Sequence, residues 1–254
     1  MPAVASVAAL LQAAADVATG DVDVVAEPAA LAEAQRSLDS SGLLLVGEVH
    51  GVRENPLLIG ALIDSLGITS LALEWHEELA PVVDAFVATG RLTDHELLWL
   101  GDGRITAGHL ALLAERVAAG QLRLILFGGT IGADWSWTQR DEAMAARLLA
   151  ASPPSARTLV VAGNAHTSTT PAGLGVPLGA QLAAVRPGVR EIRITYRRGA
   201  FYNCEPRRFR SAGQGLEGRP LLALRRGELV LTVPSATEAV VPQRSSWLPA
   251  RPIT

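Results

Sequence analysis

Lysine is missing from this chain. All 22 basic residues among its 254 positions are arginine, so a Schiff-base lysine, a pyridoxal-phosphate anchor and the lysine of a phosphate-binding loop are excluded, because each needs a primary amine. Cysteine is nearly missing as well. Cys204 stands alone, which excludes an internal disulfide, a cysteine-rich zinc site and an iron–sulfur cluster held by one chain; it is expected to be a buried thiol without a role. No apolar run reaches the roughly 18 residues that a membrane span needs. The stretch from Met1 to Gly20 is apolar, but it lacks a positive n-region and carries Gln12 and Asp16 at helix-compatible positions. It therefore reads as a packing helix rather than a signal peptide, and the chain is expected to be cytoplasmic and away from the membrane. Net charge is −3 with scattered arginines, so the electrostatic footprint of a nucleic-acid binder is missing too.

What is present is apolar material for a substantial core: 49% of the residues are hydrophobic and 19% charged, and the length suits one large domain. The pattern alternates. A helix around Pro28–Leu38 leads into a strand at 42–46; Asn55-Pro56 opens a helix that runs to Leu66, proline being harmless at a helix start. A strand over 70–76, helices over 78–89 and 107–119, a strand over 122–127, a helix over 139–150, a strand over 157–163, a short helix over 180–185 and a strand over 189–196 follow. This predicts an α/β fold, with a mostly parallel central sheet flanked by helices on both faces. After about Phe201 the character changes, and 221–224 and 228–233 around Arg225-Arg226-Gly227 predict a C-terminal antiparallel hairpin that extends the sheet or covers its edge. One domain is expected over 1–254, with N-terminal helices over 1–41, the main body over 42–198 and the hairpin and tail over 199–254.

Several familiar chemistries are excluded by motif. No Gly-x-Ser-x-Gly elbow and no His-Glu-x-x-His occurs; His76-Glu77-Glu78 and His95-Glu96 both lack the second histidine. Gly173-Leu174-Gly175-Val176-Pro177-Leu178-Gly179 misses the dinucleotide fingerprint, its last glycine falling one place late behind a proline, so no nicotinamide cofactor is expected. His95 and His109 read as surface or packing residues, and Arg207-Arg208-Phe209-Arg210 as a solvated segment.

The chemistry sits instead at strand ends. Gly47-Glu48-Val49-His50 closes the strand Gly42–Val46, Glu74-Trp75-His76 closes the strand from Ser70, and Asn164-Ala165-His166 follows the strand from Thr158. In α/β proteins the carboxyl ends of parallel strands face the ligand crevice, and residues two apart on a strand share a side, so Glu48 and His50 should converge and three strand ends should contribute to one site.

These residues, with Arg140-Asp141-Glu142-Ala143-Met144-Ala145, form a set of four ordered matches, Gly47–Gly51, Leu73-Glu74, Arg140–Ala145 and Ala162–His166, that resembles the erythromycin esterase-like/ChaN-like superfamily, which includes the Tiki metalloproteases and haem-binding uptake proteins. The resemblance spans about 42–198. The Glu-x-His spacing of Glu48 and His50, and Gly175-Val176-Pro177 followed by Leu182, look more like the ChaN-like branch, although the chain lacks the lipoprotein signal and lipid-accepting cysteine of its haem-binding lipoproteins. The resemblance implies that Glu48, His50, Glu74 and His166 line one cleft, with Arg140 entering from a helix to pair with Glu48 or Glu74.

Two mechanisms fit such groups. In one, His50 is a general base on water, Glu74 orients it or shares its proton, and His166 or Arg140 stabilises an oxyanion, hydrolysing an ester, lactone or amide, or running a related elimination or cyclisation. In the other, Glu48, His50, Glu74 and His166 hold a divalent ion that activates water. The alternative from another class is a haem- or metal-binding protein without turnover, in which a histidine, Tyr196 or Tyr202 ligates iron in a pocket lined by Trp75, Trp99, Trp135 and Trp137. His76, Asn164, Trp75, Trp135 and Trp137 are the candidate substrate-binding residues, and the partner is a small molecule or a peptide; oligomeric state is left open.

Overall fold

A computed structural model describes residues 22–129, 134–171, 173–208 and 218–241. The N-terminal packing helix and the end of the tail expected from the sequence, as well as Phe209 and Arg210, lie outside the described residues.

Eight strands form one sheet: β1 (Val25–Ala26), β2 (Leu43–Glu48), β3 (Ser70–His76), β4 (Arg123–Gly128), β5 (Thr158–Gly163), β6 (Arg190–Tyr196), β9 (Leu221–Arg225) and β10 (Glu228–Val233), in the order β1-β9-β10-β6-β2-β5-β3-β4. From β10 to β4 every neighbouring pair is parallel, and β9 turns back antiparallel to β10 with β1 alongside it. The C-terminal hairpin thus extends the sheet, β10 joining β6 in the parallel sense. β7 (Ala200–Asn203) and β8 (Glu205–Arg208) make a separate small hairpin, which the sequence pattern did not announce.

The helices are α1 (Pro28–Ser41), α2 (Asn55–Leu66), α3 (Ala80–Thr89), α4 (Ala107–Arg116), α5 (Trp137–Ala151), α6 (Asn164–Thr167) and α7 (Leu178–Val185). They cover both faces of the sheet, and the strand alternation shows how. Leu44 and Val46 of β2, Leu159 and Val161 of β5 and Ile192 and Ile194 of β6 pack against α1 to α4. Leu43, Leu45, Val160 and Ala162 point the other way, against Met144, Ala145 and Leu148 of α5 and Leu178 and Leu182 of α7. Strands buried on both faces need continuous apolar runs rather than alternation, which is why Gly42–Val46 and Leu159–Ala162 are apolar throughout.

Helix boundaries depart from the sequence reading by a turn at most. The segment from Glu77 to Leu79 is a separate 3-10 turn before α3, α4 stops at Arg116, and α5 begins at Trp137 because Ser136 caps it: its side chain accepts from the Gln139 backbone while the Gln139 side chain accepts from the Ser136 N–H. Among the described residues no helix is long and apolar enough to cross a membrane.

Cys204 is a correction. It is exposed at the tip of the β7–β8 hairpin, with φ of 57°, and its N–H donates to the Gly101 carbonyl at 2.7 Å; a two-strand turn this tight puts its middle residue outward. Behind it, Gly51 (φ 74°) and Gly103 (φ 82°) lie against the Tyr202 backbone so closely that a Cβ at either position would overlap the Tyr202 carbonyl. The small hairpin is thereby clamped over the loops that follow β2 and precede α4.

Removing the cap of α5 should loosen the helix that carries Arg140 and Asp141. Ser136→Ala is expected to lower the unfolding free energy by about 1 kcal/mol, measured by urea denaturation; an unchanged midpoint would show that packing alone fixes the start of α5.

Candidate functional site

The carboxyl ends of β2, β5 and β3 lie side by side, with Glu48 in register with Gly163. Three strand ends therefore meet at one place. Glu74, only 2% exposed, sits at the centre. Its Oε2 accepts from the Gly163 N–H at 2.8 Å and its Oε1 from Arg140 Nη2 at 3.0 Å, with Arg104 Nη1 at 3.2 Å from the same oxygen. Two histidines flank it: His50 Nε2 is 3.7 Å from Oε2 and His166 Nε2 is 3.6 Å from Oε1.

Each histidine is held at its other nitrogen by its own carboxylate. His50 Nδ1 lies 3.0 Å from Glu48 Oε1, and His166 Nδ1 lies 2.8 and 3.0 Å from the two oxygens of Asp141. Asp141 also accepts from the Leu178 N–H at 2.7 Å, at the start of α7. The His166 ring stacks on Trp137 at 4.6 Å between centroids, and the Arg140 guanidinium lies 5.5 Å from the same indole. A Cβ at Gly163 would stand 3.0 Å from His50 Nε2, so any larger residue would press on that imidazole.

Electrostatics follow from this packing. Burial pushes the Glu74 carboxyl up, yet the charges of His50, Arg104 and His166 with the Gly163 hydrogen bond more than reverse it, leaving its pKa below the ordinary 4.5. Burial pulls the His50 imidazole down; the hydrogen bond to Glu48 and the charges of Glu74 and Glu48 outweigh that and hold it above the ordinary 6.5. His50 keeps 17% of its side chain exposed, so it can still meet solvent or substrate.

A cavity of about 470 Å³ opens beside Glu74, lined by Trp75, His76, Leu98, Arg104, Ile105 and Arg140 among others. That is a size suited to small-molecule sites.

The structure brings Glu48, His50, Glu74, His166 and Arg140 into one cluster, with Arg140 on Glu74; of these, Glu74 and Arg140 line the cavity and Glu48, His50 and His166 do not. The orientation of His50 is corrected: Glu48 takes its Nδ1, whereas Glu74 faces its Nε2 at a distance too long for a direct hydrogen bond. Among the candidate binding residues, Trp75 forms a cavity wall, its indole N–H donating to the Arg104 carbonyl at 3.1 Å, and His76 lines the cavity with its Nδ1 accepting from the Glu78 N–H. Trp137 supports His166 instead. Asn164 is exposed at the start of α6, and Trp135 is 42% exposed; neither lines this cavity. The Trp99 side chain lies outside the described positions. Asp141 and Arg104 were missed. Asp141 had a signal, falling on the same face of α5 as Met144, Ala145 and Leu148, which pack in the core, whereas Arg104 lies in a turn with no periodicity to reveal it.

Two guanidiniums at the Glu74 carboxylate would repel a dication there, and among the described residues no three His, Cys, Asp or Glu side chains are arranged to hold an ion; the carboxylates on the two Nδ1 atoms leave both Nε2 atoms facing Glu74. Of the tyrosines considered for haem, the Tyr196 hydroxyl donates to Asn55 Oδ1 at 2.6 Å, with burial raising its pKa well above 10, and the Tyr202 hydroxyl donates to the Cys204 carbonyl at 3.3 Å.

No protein-family model matches the chain, and no curated protein matches it significantly. Its fold is that of solved bacterial structures. A succinoglycan biosynthesis protein superposes with a TM-score of 0.59 at 11% identity, over 92% of this chain and 98% of the other. A Bacillus cereus protein superposes with a TM-score of 0.51 at 11% identity, over 82% and 91%. At such identity the likeness establishes the α/β architecture alone.

The raised His50 pKa has a signed consequence. Its contribution to stability is fully present below about pH 6.5, the unfolded value, and is lost as pH rises through the higher folded value. The stability gap between wild type and His50→Gln, from urea unfolding at a series of pH values, should therefore shrink on going alkaline; a gap constant with pH would contradict the Glu48–His50–Glu74 arrangement.

Proposed function

We propose that the chain is a metal-independent acid–base enzyme of the erythromycin esterase-like/ChaN-like kind, hydrolysing an ester, lactone or amide bond of a small-molecule or peptide substrate in the cytoplasm. The observation that carries the reading is the pair of carboxylate–imidazole couples, Glu48–His50 and Asp141–His166, aimed at opposite oxygens of one buried glutamate.

With Nδ1 donating to Glu48, His50 presents a lone pair at Nε2. The 3.7 Å to Glu74 Oε2 suits two groups that share a water rather than bond directly. His50 Nε2 takes a proton from that water as its oxygen attacks the carbonyl carbon, and Glu48 steadies the resulting imidazolium. Arg104 and Arg140 both line the cavity, and although Arg104 Nε is paired with Asp102, each guanidinium has further N–H groups beyond the one on Glu74 to meet a carbonyl oxygen as it becomes an oxyanion. His166, oriented by Asp141, supplies the proton to the leaving group. The same base would serve an elimination or cyclisation, because removing a proton from carbon or from water makes the same demand on His50.

The test uses an activated aryl ester such as p-nitrophenyl acetate, then a panel of lactones and amides. His50→Ala should lose about 10²- to 10⁴-fold in kcat, the usual contribution of a general base, with its circular dichroism unchanged. In wild type kcat/KM should rise with pH through a pKa above 6.5, as the base deprotonates, and exhaustive chelation should leave the rate intact. Full activity in His50→Ala, or loss of activity on chelation that the added ion restores, would reject the proposal.

A further inference from the structure

His109 is a titratable group that this mechanism leaves unused, in a place where an unused one is costly. It lies on α4, 1% exposed, with its ring edge-on to Trp75 at 6.1 Å. Thr106, which caps α4, accepts from the His109 backbone N–H, and its hydroxyl oxygen is 2.9 Å from His109 Nδ1. That hydroxyl has a hydrogen to offer, and where Nδ1 accepts it the ring carries its proton on Nε2. Nε2 is buried and has no hydrogen-bond partner.

A matching acceptor stands nearby. Glu48 Oε2 is likewise buried and without a hydrogen-bond partner, because only Oε1 is taken by His50. The strand alternation aims Glu48 at α4: Leu44 and Val46, four and two residues earlier on β2, face the same core that holds Ala107 and Leu110 of α4. Glu48 and His50 are the charges that act on His109, and burial, the larger influence, keeps its pKa below 6.5 so that the ring stays neutral. On its own helix Arg116 is turned away to Asp64. A buried donor and a buried acceptor left unmet both lose their hydration without compensation; one buried water, needing two to four polar partners, meets both.

We infer that His109 is a positioning residue: through one buried water its Nε2–H is bonded to Glu48 Oε2, forming a relay Thr106–His109–water–Glu48–His50 that fixes the carboxylate behind the catalytic imidazole. The relay forms and breaks no covalent bond; its effect is to hold Glu48 so that Oε1 stays on His50 Nδ1. Its functional weight rests on the hydrolytic reading, but its existence does not.

The experiment is imidazole NMR of protein labelled with 15N-histidine, where five histidines keep the spectrum assignable. His109 is expected as the Nε2–H tautomer with a slowly exchanging proton, and that proton should move upfield in Glu48→Gln, whose amide is a weaker acceptor. A Nδ1–H tautomer, or a Nε2–H proton indifferent to Glu48→Gln, overturns the relay whether or not the protein turns over any ester. On p-nitrophenyl acetate, His109→Phe should lower kcat about tenfold, the low end of what losing an outer hydrogen-bond partner costs, with KM unchanged. His109→Gln, which keeps an N–H donor, should recover most of that loss. Equal rates in wild type and His109→Phe would overturn the positioning role while leaving His50 as the base.

Discussion

The buried carboxylate of Glu74 is the constraint on which the site depends. An ionised group taken out of water costs several kcal/mol unless charge and hydrogen bonds surround it, and every neighbouring element supplies part of that surrounding. β5 contributes the Gly163 N–H, α5 contributes Arg140, the turn before α4 contributes Arg104, and the two imidazoles close the remaining sides. The arrangement explains choices that look unfavourable locally. Arginine in the first turn of α5 opposes the helix dipole, which disfavours cations there by a few tenths to about 1 kcal/mol, and the pairing with Glu74 outweighs it. A glycine ends β5 although glycine weakens strands, and there its backbone lies close against both Glu74 and His50.

The sheet makes this convergence cheap. Because β2, β5 and β3 are parallel neighbours, their last residues arrive at the same level without any loop having to be long. Glu48 and Glu74 then fall on opposite faces, Glu48 toward the side covered by α2 to α4 and Glu74 toward α5. A single row of strand ends therefore gives His50 a carboxylate behind it and another in front of it.

Much of this was legible in the amino-acid order, for identifiable reasons. Apolar runs buried on both faces give an unambiguous signal, so the parallel strands and their titratable ends could be located, and Pro56 marked a helix start by the chemistry of its missing N–H. The hairpin β7–β8 could not be seen, since its stability comes from Gly51 and Gly103 lying against the Tyr202 backbone, a contact between distant segments. Arg104 was hidden for the same reason: a turn residue finds its partner only in three dimensions. Cys204 was misplaced because apolar character was taken to mean burial, whereas the hairpin tip turns it outward. Trp135 and Trp137, alike in sequence, separate in the fold because the Ser136 cap leaves the first outside the helix and the second on its inner side against His166.

The two carboxylate–imidazole couples are not equivalent, and the difference assigns their labour. Asp141 is saturated: both its oxygens meet His166 and one also receives the Leu178 N–H. With Trp137 stacked on its face, His166 has a single orientation and little room to change it. Glu48 spends one oxygen on His50, and His50 stands at the end of a turn with part of its ring exposed. A general base must reach a water, accept a proton and give it up in each cycle, which favours the histidine with access and an elevated pKa. A group that delivers a proton along a fixed direction is served better by the clamped one. In the proposed reaction this difference gives the role of base to His50 and that of acid to His166, while the two arginines keep the charge of Glu74 in place.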